Sequence, residues 1–499
     1  MRKLVIALLC SSSLVGLAAA APNDFTAVFP PIKGTITITG TAGSSWLNVR
    51  SYVAGVPVSP DAAPVAGAYS NVIDTTKIAD GPTTFTTMAW ACLPGNPTGG
   101  PCPSSTITMG PYTVANGAPP PPLIKDPLQG LITTNVPSRP VLHDQLGINS
   151  HDLTGFSTVA ASGFGWVRTD AYWDAIEKTA GVYDFSQVVD PTYAALTANN
   201  LKPLWVLAYG NPLYGNPVNA SSVQSFKNYA VALVRHLPPG QSWEIWNEWT
   251  GFGPLTTPQY AALVRAVIPA IHAADPTAKV TTTSPAGGVD TGNLGTLLSS
   301  GAAAGADGIG MHVYLCCNSG LLGDPEWMQN PLAQVDTVKA NNGFANVPTW
   351  ITEGGPDQTK LSPATNENQA IWVLRYIFTN WAVASKIGIV YDKNDAGFSF
   401  LNNPKSISAV TTLTSLASGK VLTGFSMPWQ HPEQLNVIRM ESANEVVYAL
   451  WIWNNQNPVN VTVPAGSQAY DMYGNPSKTT GTSISISYTP GPVYLKYAK

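Results

Sequence analysis

The chain has 499 residues, room for about three domains at roughly 150 residues each, or for one large barrel with smaller modules. Charged residues are only 11% against a typical ~25%, while 44 glycines, 43 prolines and 44% hydrophobic residues exclude both a coiled coil and a disordered chain. A formal net charge of −4 with no run of Lys or Arg excludes an electrostatic nucleic-acid binder.

Arg2 and Lys3 precede an apolar stretch from Leu4 to Leu17, and Ala18 to Ala21 supply a small-residue cleavage pattern. This predicts a secretory signal peptide over 1–20. Cys10 follows Leu9, where a lipoprotein signal needs a small residue, so no lipid anchor is expected. No later segment approaches the ~18 continuous apolar residues of a membrane span. An exported protein without a membrane span is expected, and losing Arg2 and Lys3 takes its formal charge from −4 to −6. The 15 tryptophans suit an exported protein whose aromatic rings stack on sugars.

Residues 21–117 read as short alternating strands between turns: Thr35–Thr39, Trp46–Val53, Thr83–Trp90 and Thr106–Met109. That spacing predicts a β-sandwich. With the segment Ile73-Asp-Thr-Thr-Lys-Ile-Ala-Asp-Gly81 it resembles the immunoglobulin-like modules of secreted bacterial proteins. Pro119–Pro122 forms a stiff polyproline spacer, giving a linker over 118–122.

Between 123 and 420 the period changes. Apolar runs at Asp144–Asn149, Gly165–Thr169, Pro203–Ala208, Trp243–Asn247, Lys279–Thr283, Gly308–Val313, Pro348–Thr352 and Ile387–Tyr391 alternate with helical segments. Val223, Phe226, Ala230 and Leu233 recur at helical spacing, as do Tyr260, Val264, Val267 and Ile271. Eight strands with intervening helices predict a (β/α)8 barrel. A doubly wound sheet is the rival, but no G-x-G-x-x-G loop follows any strand. Strands without helices return over 421–499, predicting a second β-sandwich packed on the barrel as one body.

Two strand-end motifs carry the chemistry. Trp243-Glu-Ile-Trp-Asn-Glu-Trp249 closes the fourth barrel strand, and Pro348-Thr-Trp-Ile-Thr-Glu-Gly-Gly355 closes the seventh. Both put a carboxylate, Glu248 and Glu353, at the C-terminal face where barrels hold their sites. Carboxylates about 5–5.5 Å apart would support retaining glycoside hydrolysis. Glu244 shares a face with Glu248 but lies deeper, where a structural salt bridge is the expected role.

Asn247-Glu248 and Thr352-Glu353-Gly354 resemble the two signatures of glycoside hydrolase clan A. Over roughly 140–499, including Asp471-Met-Tyr-Gly-Asn475 and Pro492-Val-Tyr-Leu495, the chain is similar to family 39 and related bacterial exopolysaccharide hydrolases. The resemblance implies that Glu248 is the general acid/base, Glu353 the nucleophile, and Asn247 the partner of the sugar 2-hydroxyl. It also implies that Arg168 lies near the nucleophile and that Tyr314 hydrogen-bonds it, with His312 on the same face. An ordinary buried ion pair and a packed strand-end aromatic are the plainer alternatives. His151, Trp173 and Tyr209, after strands one to three, are placed to line the mouth. At strand eight, where many clan A enzymes carry a Trp floor, this chain has Tyr391-Asp392, with Phe398 and Phe400 following. Asp392 joins the expected substrate-binding set.

Two functions from different classes follow: a secreted or periplasmic retaining glycosidase, or a non-catalytic carbohydrate-binding protein on the same barrel. Loss of either glutamate would mark the second, and neither is lost. No G-x-S-x-G elbow supports a serine hydrolase. No metal constellation or cofactor motif appears. A polysaccharide or oligosaccharide is the expected partner of a monomer, with no nucleic acid.

Export also bears on Cys92, Cys102, Cys316 and Cys317, since disulfides form in oxidising compartments. None has C-x-x-C spacing, and three pairings are open. The expected arrangement is local, with Cys92–Cys102 in the front module and Cys316–Cys317 joined in an eight-membered ring beside the mouth. Peptide mapping without reduction should find Cys316 and Cys317 in one peptide lighter by two hydrogens. Free thiols there, or a crosslink to Cys92 or Cys102, would end that expectation.

Overall fold

The eight apolar runs become eight parallel strands in a computed structural model of the chain. Outside the described residues lie 1–4, 8–34, 42–47, 60–67, 91–103, 115–127, 133–138, 315–323, 429–434, 453–457 and 478–481, with some shorter stretches. The four mature cysteines, the proline spacer and all but Val5–Ala7 of the expected signal peptide fall there. The chain divides into two compact units, Met1–Leu131 and Ile132–Lys499.

In the first unit, Asn48–Val53, Val56–Pro57, Gly81–Trp90 and Ser104–Val114 form one antiparallel sheet. Thr35–Thr41 pairs antiparallel with Ala68–Asp74, and in parallel with Val5–Ala7, in another. Asn71 Nδ2 donates to Ser51 Oγ at 3.0 Å, and Ser51 Oγ lies 3.0 Å from Thr87 Oγ1, which ties one sheet to the other. Ile73 and Phe85 are wholly buried beside them.

The barrel strands of the second unit are β1 (Leu146–Asn149), β2 (Trp166–Tyr172), β3 (Lys202–Ala208), β4 (Ser242–Ile245), β5 (Lys279–Thr282), β6 (Ile309–His312), β7 (Thr349–Glu353) and β8 (Gly388–Val390). Neighbours pair in ring order, with β8 beside β1. Two backbone bonds close the ring between β5 and β6: Asp307 N–H to Val280 O at 2.8 Å and Thr282 N–H to Gly308 O at 3.3 Å. Only glycine fits this approach, because a Cβ on Gly310 would lie 2.0 Å from the Thr282 carbonyl oxygen.

Both helices read from periodicity are present. α1 (Ala220–His236) starts at an Asn219–Ser222 capping box, and α2 (Thr257–Ala274) at a Thr256–Gln259 box. Each buries its expected apolar stripe, Val223, Phe226, Ala230 and Leu233 in the first and Tyr260, Val264, Val267 and Ile271 in the second. No helix among the described residues is long and apolar enough to cross a membrane.

The closing strands Val421–Ser426, Asn436–Glu441, Glu445–Trp451, Gln468–Tyr470, Pro476–Ser477 and Val493–Ala498 make a six-stranded antiparallel sheet. Val459–Thr462 and Ser483–Ile486 make a second. The hinge with the barrel is α3 (Asn366–Ala382), buried on nearly every side. One hydrophobic cluster runs from Ile148 and Ile351 of the barrel through α3 to Ile438, Val447, Trp451 and Tyr494. Phe378 stacks on Trp451 at 5.0 Å between centroids. Sandwich and barrel therefore share one core, as expected.

A buried polar clasp crosses that core. Arg375 donates to Glu326 at 2.9 and 2.5 Å and to Asp324 at 2.7 Å, while Trp451 Nε1 donates to Glu326 at 2.6 Å. Removing one partner of a buried pair leaves an uncompensated charge, at about 3–5 kcal/mol. Glu326→Ala should lower unfolding free energy by about that amount in urea titration. A loss below about 1 kcal/mol would show that the clasp is not needed for stability.

Candidate active site

Glu248 and Glu353 reach the mouth by different routes. β7 simply ends on Glu353. After β4 the chain leaves extended geometry, with Trp246 at φ 70° and Glu248 at φ 44°. Left-handed backbone is uncommon for side chains with a Cβ and collects at functional sites. Gly251 and Phe252 N–H groups both donate to Glu248 O, at 2.8 and 3.2 Å, closing the turn. A carboxylate oxygen of Glu248, one of Glu353 and a ring nitrogen of His312 lie within 4.8 Å of one another.

Arg168 on β2 organises the floor. Its Nε donates to Glu244 Oε2 at 2.6 Å. Nη1 donates to Glu353 Oε1 at 2.6 Å and to Asn149 Oδ1 at 3.1 Å. Nη2 donates to Asn247 Oδ1 at 2.8 Å. All of this is buried. Burial alone would push the Glu244 carboxyl up, but the Arg168 charge and His312 outweigh it and hold it down at about 2. Thr352 Oγ1 donates to its other oxygen at 2.9 Å. Glu244 is thus the structural ion-pair partner expected of it.

His312 ends β6 and faces three carboxylates. Nδ1 donates to Glu248 Oε1 at 2.9 Å and lies 3.4 Å from Glu353 Oε2. Nε2 sits 3.6 Å from Glu244 Oε1, an electrostatic contact beyond hydrogen-bond range. Burial opposes charge on this ring, yet Glu353, Glu244 and Glu248 together raise its pKa to about 9. The spacing of Glu248, His312 and Glu353 would admit a cation, but the imidazolium and the Arg168 guanidinium already supply positive charge to these carboxylates. Tyr314 completes the set, donating to Glu353 Oε2 at 2.8 Å.

Asn247 is fixed at both ends, its Oδ1 by Arg168 and its Nδ2 by Tyr209 Oη at 2.9 Å. His151 keeps an exposed edge, with Nδ1 2.7 Å from Asp170 Oδ2 and Nε2 2.9 Å from Asn149 Nδ2. Asp392 is wholly buried. It accepts from Asn149 Nδ2 at 2.9 Å and from the Asn394 and Asp395 amides. It therefore holds Asn149 and lies 3.7 Å from His151, behind the surface a sugar would meet.

Trp173 departs from expectation. The chain turns from β2 directly into the short helix Trp173–Ile176, and the indole is wholly buried, stacked on Tyr214 and Tyr229 and bonded to Glu177 at 2.6 Å. Apolar packing against α1 claims it, so it does not line the mouth. Asn149 and Asp170 join the site although neither was expected there. Alternation along Arg168-Thr-Asp170 puts Asp170 on the arginine's face, and Asn149 ends its strand as Asn247 ends the β4 segment. In the eighth-strand loop, Tyr391 meets Tyr314 edge-on at 6.0 Å and Phe398 at 5.1 Å. Phe400 is buried instead, edge-on to Phe164.

The structure is similar to a family 39 glycoside hydrolase from the gut symbiont Bacteroides cellulosilyticus WH2, with TM-score 0.60 and 17% identity over 93% of this chain and 97% of that one. A monomeric β-xylosidase from Caulobacter crescentus CB15 gives TM-score 0.55 and 14% identity, over 72% and 97%. A family 30 endoxylanase from Clostridium papyrosolvens C71 gives 0.52 and 11%, over 74% and 100%. These likenesses establish the fold, a (β/α)8 barrel with an attached β-sandwich. No family model and no curated protein sequence matches the chain.

The His312 environment sets a pH dependence. Its folded pKa is raised from 6.5 to about 9, so its contribution to stability is full below pH 6.5 and is lost as pH rises through 9. Urea midpoints should fall between pH 6.5 and 9.5 in the wild type and fall less in His312→Gln. Equal slopes would show that the imidazole carries no such linkage.

Proposed function

We propose that this chain is an exported retaining glycoside hydrolase that cleaves an oligosaccharide or polysaccharide by double displacement. The observation that carries the reading is that a carboxylate oxygen of Glu248 and one of Glu353 lie within 4.8 Å of each other at the C-terminal mouth of the barrel. Retaining pairs stand about 5–5.5 Å apart, while inverting pairs need about 6.5–9.5 Å to admit a water. The likeness to family 39 and family 30 hydrolases supports the same chemistry.

Roles follow from the hydrogen bonds. Both oxygens of Glu353 accept from fixed donors, Arg168 on one and Tyr314 on the other, which aims the carboxylate as a nucleophile. It would attack the anomeric carbon while Glu248 passes a proton to the departing glycosidic oxygen, leaving a glycosyl ester on Glu353. In the second half, Glu248 takes a proton from water, the water oxygen bonds to the anomeric carbon, and the ester bond to Glu353 breaks. Asn247 Nδ2 keeps one N–H beyond its Tyr209 bond for the sugar 2-hydroxyl, a contact that strengthens as charge develops. Tyr209 and His151 remain exposed enough to meet substrate. The amino-terminal Arg2–Ala21 pattern supports export.

A panel of 4-nitrophenyl glycosides and plant and bacterial polysaccharides, with product sizing, identifies the sugar. On a confirmed substrate Glu353→Ala should lose at least about a thousand-fold in kcat, and azide should restore product with inverted anomeric configuration. Glu248→Ala should lose about 10²–10⁴-fold where the leaving group is poor, and least where it is activated. Near wild-type turnover by Glu353→Ala would overturn the assignment.

A further inference from the structure

The turn that follows the acid/base carries an aromatic side chain that double displacement alone does not use. Phe252 is 58% exposed, while its neighbour Trp249 is wholly buried and stacked on Tyr260 at 4.3 Å. Isolated exposed apolar residues are ordinary, but here the backbone is pinned on both sides. Phe252 N–H donates to Glu248 O at 3.2 Å, and Trp246 Nε1 donates to Phe252 O at 3.0 Å. The backbone that carries the exposed phenyl is thus held by the same turn that holds the acid/base.

The free carboxylate oxygen of Glu248 faces this turn. Oε1 is taken by His312. Oε2 would lie 3.8 Å from a Cβ placed on Gly251, the residue before Phe252. A proton delivered from Oε2 therefore goes to an oxygen whose substituent emerges beside Gly251 and Phe252. Inward from Phe252, the rings continue: Tyr209 lies 6.5 Å away, with Trp246 at 5.6 Å and Tyr172 at 6.3 Å from Tyr209. Tyr209 Oη holds Asn247. Tyr209 thus stands between Asn247, which would meet the reacting sugar, and the exposed Phe252 on the acid/base side.

We propose that Phe252 forms the subsite for the leaving group, stacking on a ring attached through the scissile oxygen. This rests on the glycosidase reading and deepens it. The substrate it selects is one whose leaving group is itself a ring, a further sugar residue or an aryl group, because a sugar offers a face of C–H groups to a phenyl ring. A small alkyl or halide leaving group gains nothing from it.

The test compares two substrates with the one glycone that the wild type hydrolyses, a 4-nitrophenyl glycoside and the glycosyl fluoride. Both report the same glycosylation step through kcat/KM, and only the first has a ring to stack. Phe252→Ala should lower kcat/KM for the aryl glycoside about ten-fold more than for the fluoride. Phe252→Tyr, which keeps the ring, should bring the ratio back to within about two-fold of the wild type. Equal effects on the two substrates, or no effect on either, would overturn the subsite. A wild type inactive on every glycoside would instead overturn the glycosidase reading, before any variant is compared.

Discussion

The buried guanidinium of Arg168 is the interaction on which the mouth of the barrel depends. One side chain from β2 reaches the ends of β1, β4 and β7 through Asn149, Glu244, Asn247 and Glu353. A charge taken out of water costs several kcal/mol unless its donors are matched, and here three of its nitrogens find four acceptors. That cost explains why the surrounding groups are so fully engaged. Thr352 takes the free oxygen of Glu244, Tyr209 takes the amide of Asn247, and Asp392 takes the amide of Asn149. The positions of Glu353 and Asn247 are thus fixed from beneath by the buried Arg168–Glu244 pair.

The fold supplies what that network needs, short strands whose ends converge and a rim that cannot splay. β4 is only four residues long, so Glu244 can stay inside the barrel while Glu248 stands at its edge. The carboxy-terminal sandwich contributes from outside. By sharing the core around α3 and Trp451 it packs the helix that connects β7 to β8, and Glu353 ends β7 while Tyr391 and Asp392 follow β8.

Much of this was legible in the sequence. Every barrel strand announces itself as a short apolar run, and the paired motifs around Glu248 and Glu353 place the carboxylates on the fourth and seventh strands. Glu244, His312 and Tyr314 fall where strand alternation puts them, and Arg168 lies beside Glu353 as the family resemblance implies. What periodicity does not carry is the path of the chain once a strand ends. Trp173 looks as well placed for the mouth as Tyr209, but the chain enters a helix at once and the indole finds Tyr214, Tyr229 and Glu177. A Trp–Glu pair four residues apart is the helical spacing that hinted at it. Asp392 was expected among the substrate-binding residues, but it is buried and holds Asn149 in front of it, a placement that only tertiary packing gives. The left-handed backbone at Glu248 has no signature at all in a residue that is not glycine.

That backbone difference matches the proposed division of labour. A nucleophile must meet one carbon along one line, and Glu353 sits on the last residue of a strand, with a guanidinium on one oxygen and a phenol on the other. An acid/base has a looser task, because it serves a departing oxygen first and an arriving water afterwards. Glu248 accordingly stands on a turn, with His312 bonded to Oε1 and Oε2 facing Gly251. His312 lies between the two carboxylates, 2.9 Å from one and 3.4 Å from the other, so its positive charge can favour whichever carboxylate bears the negative charge at each stage. The strand end gives fixity and the turn gives reach, and the imidazolium lets carboxylates this close occupy one pocket.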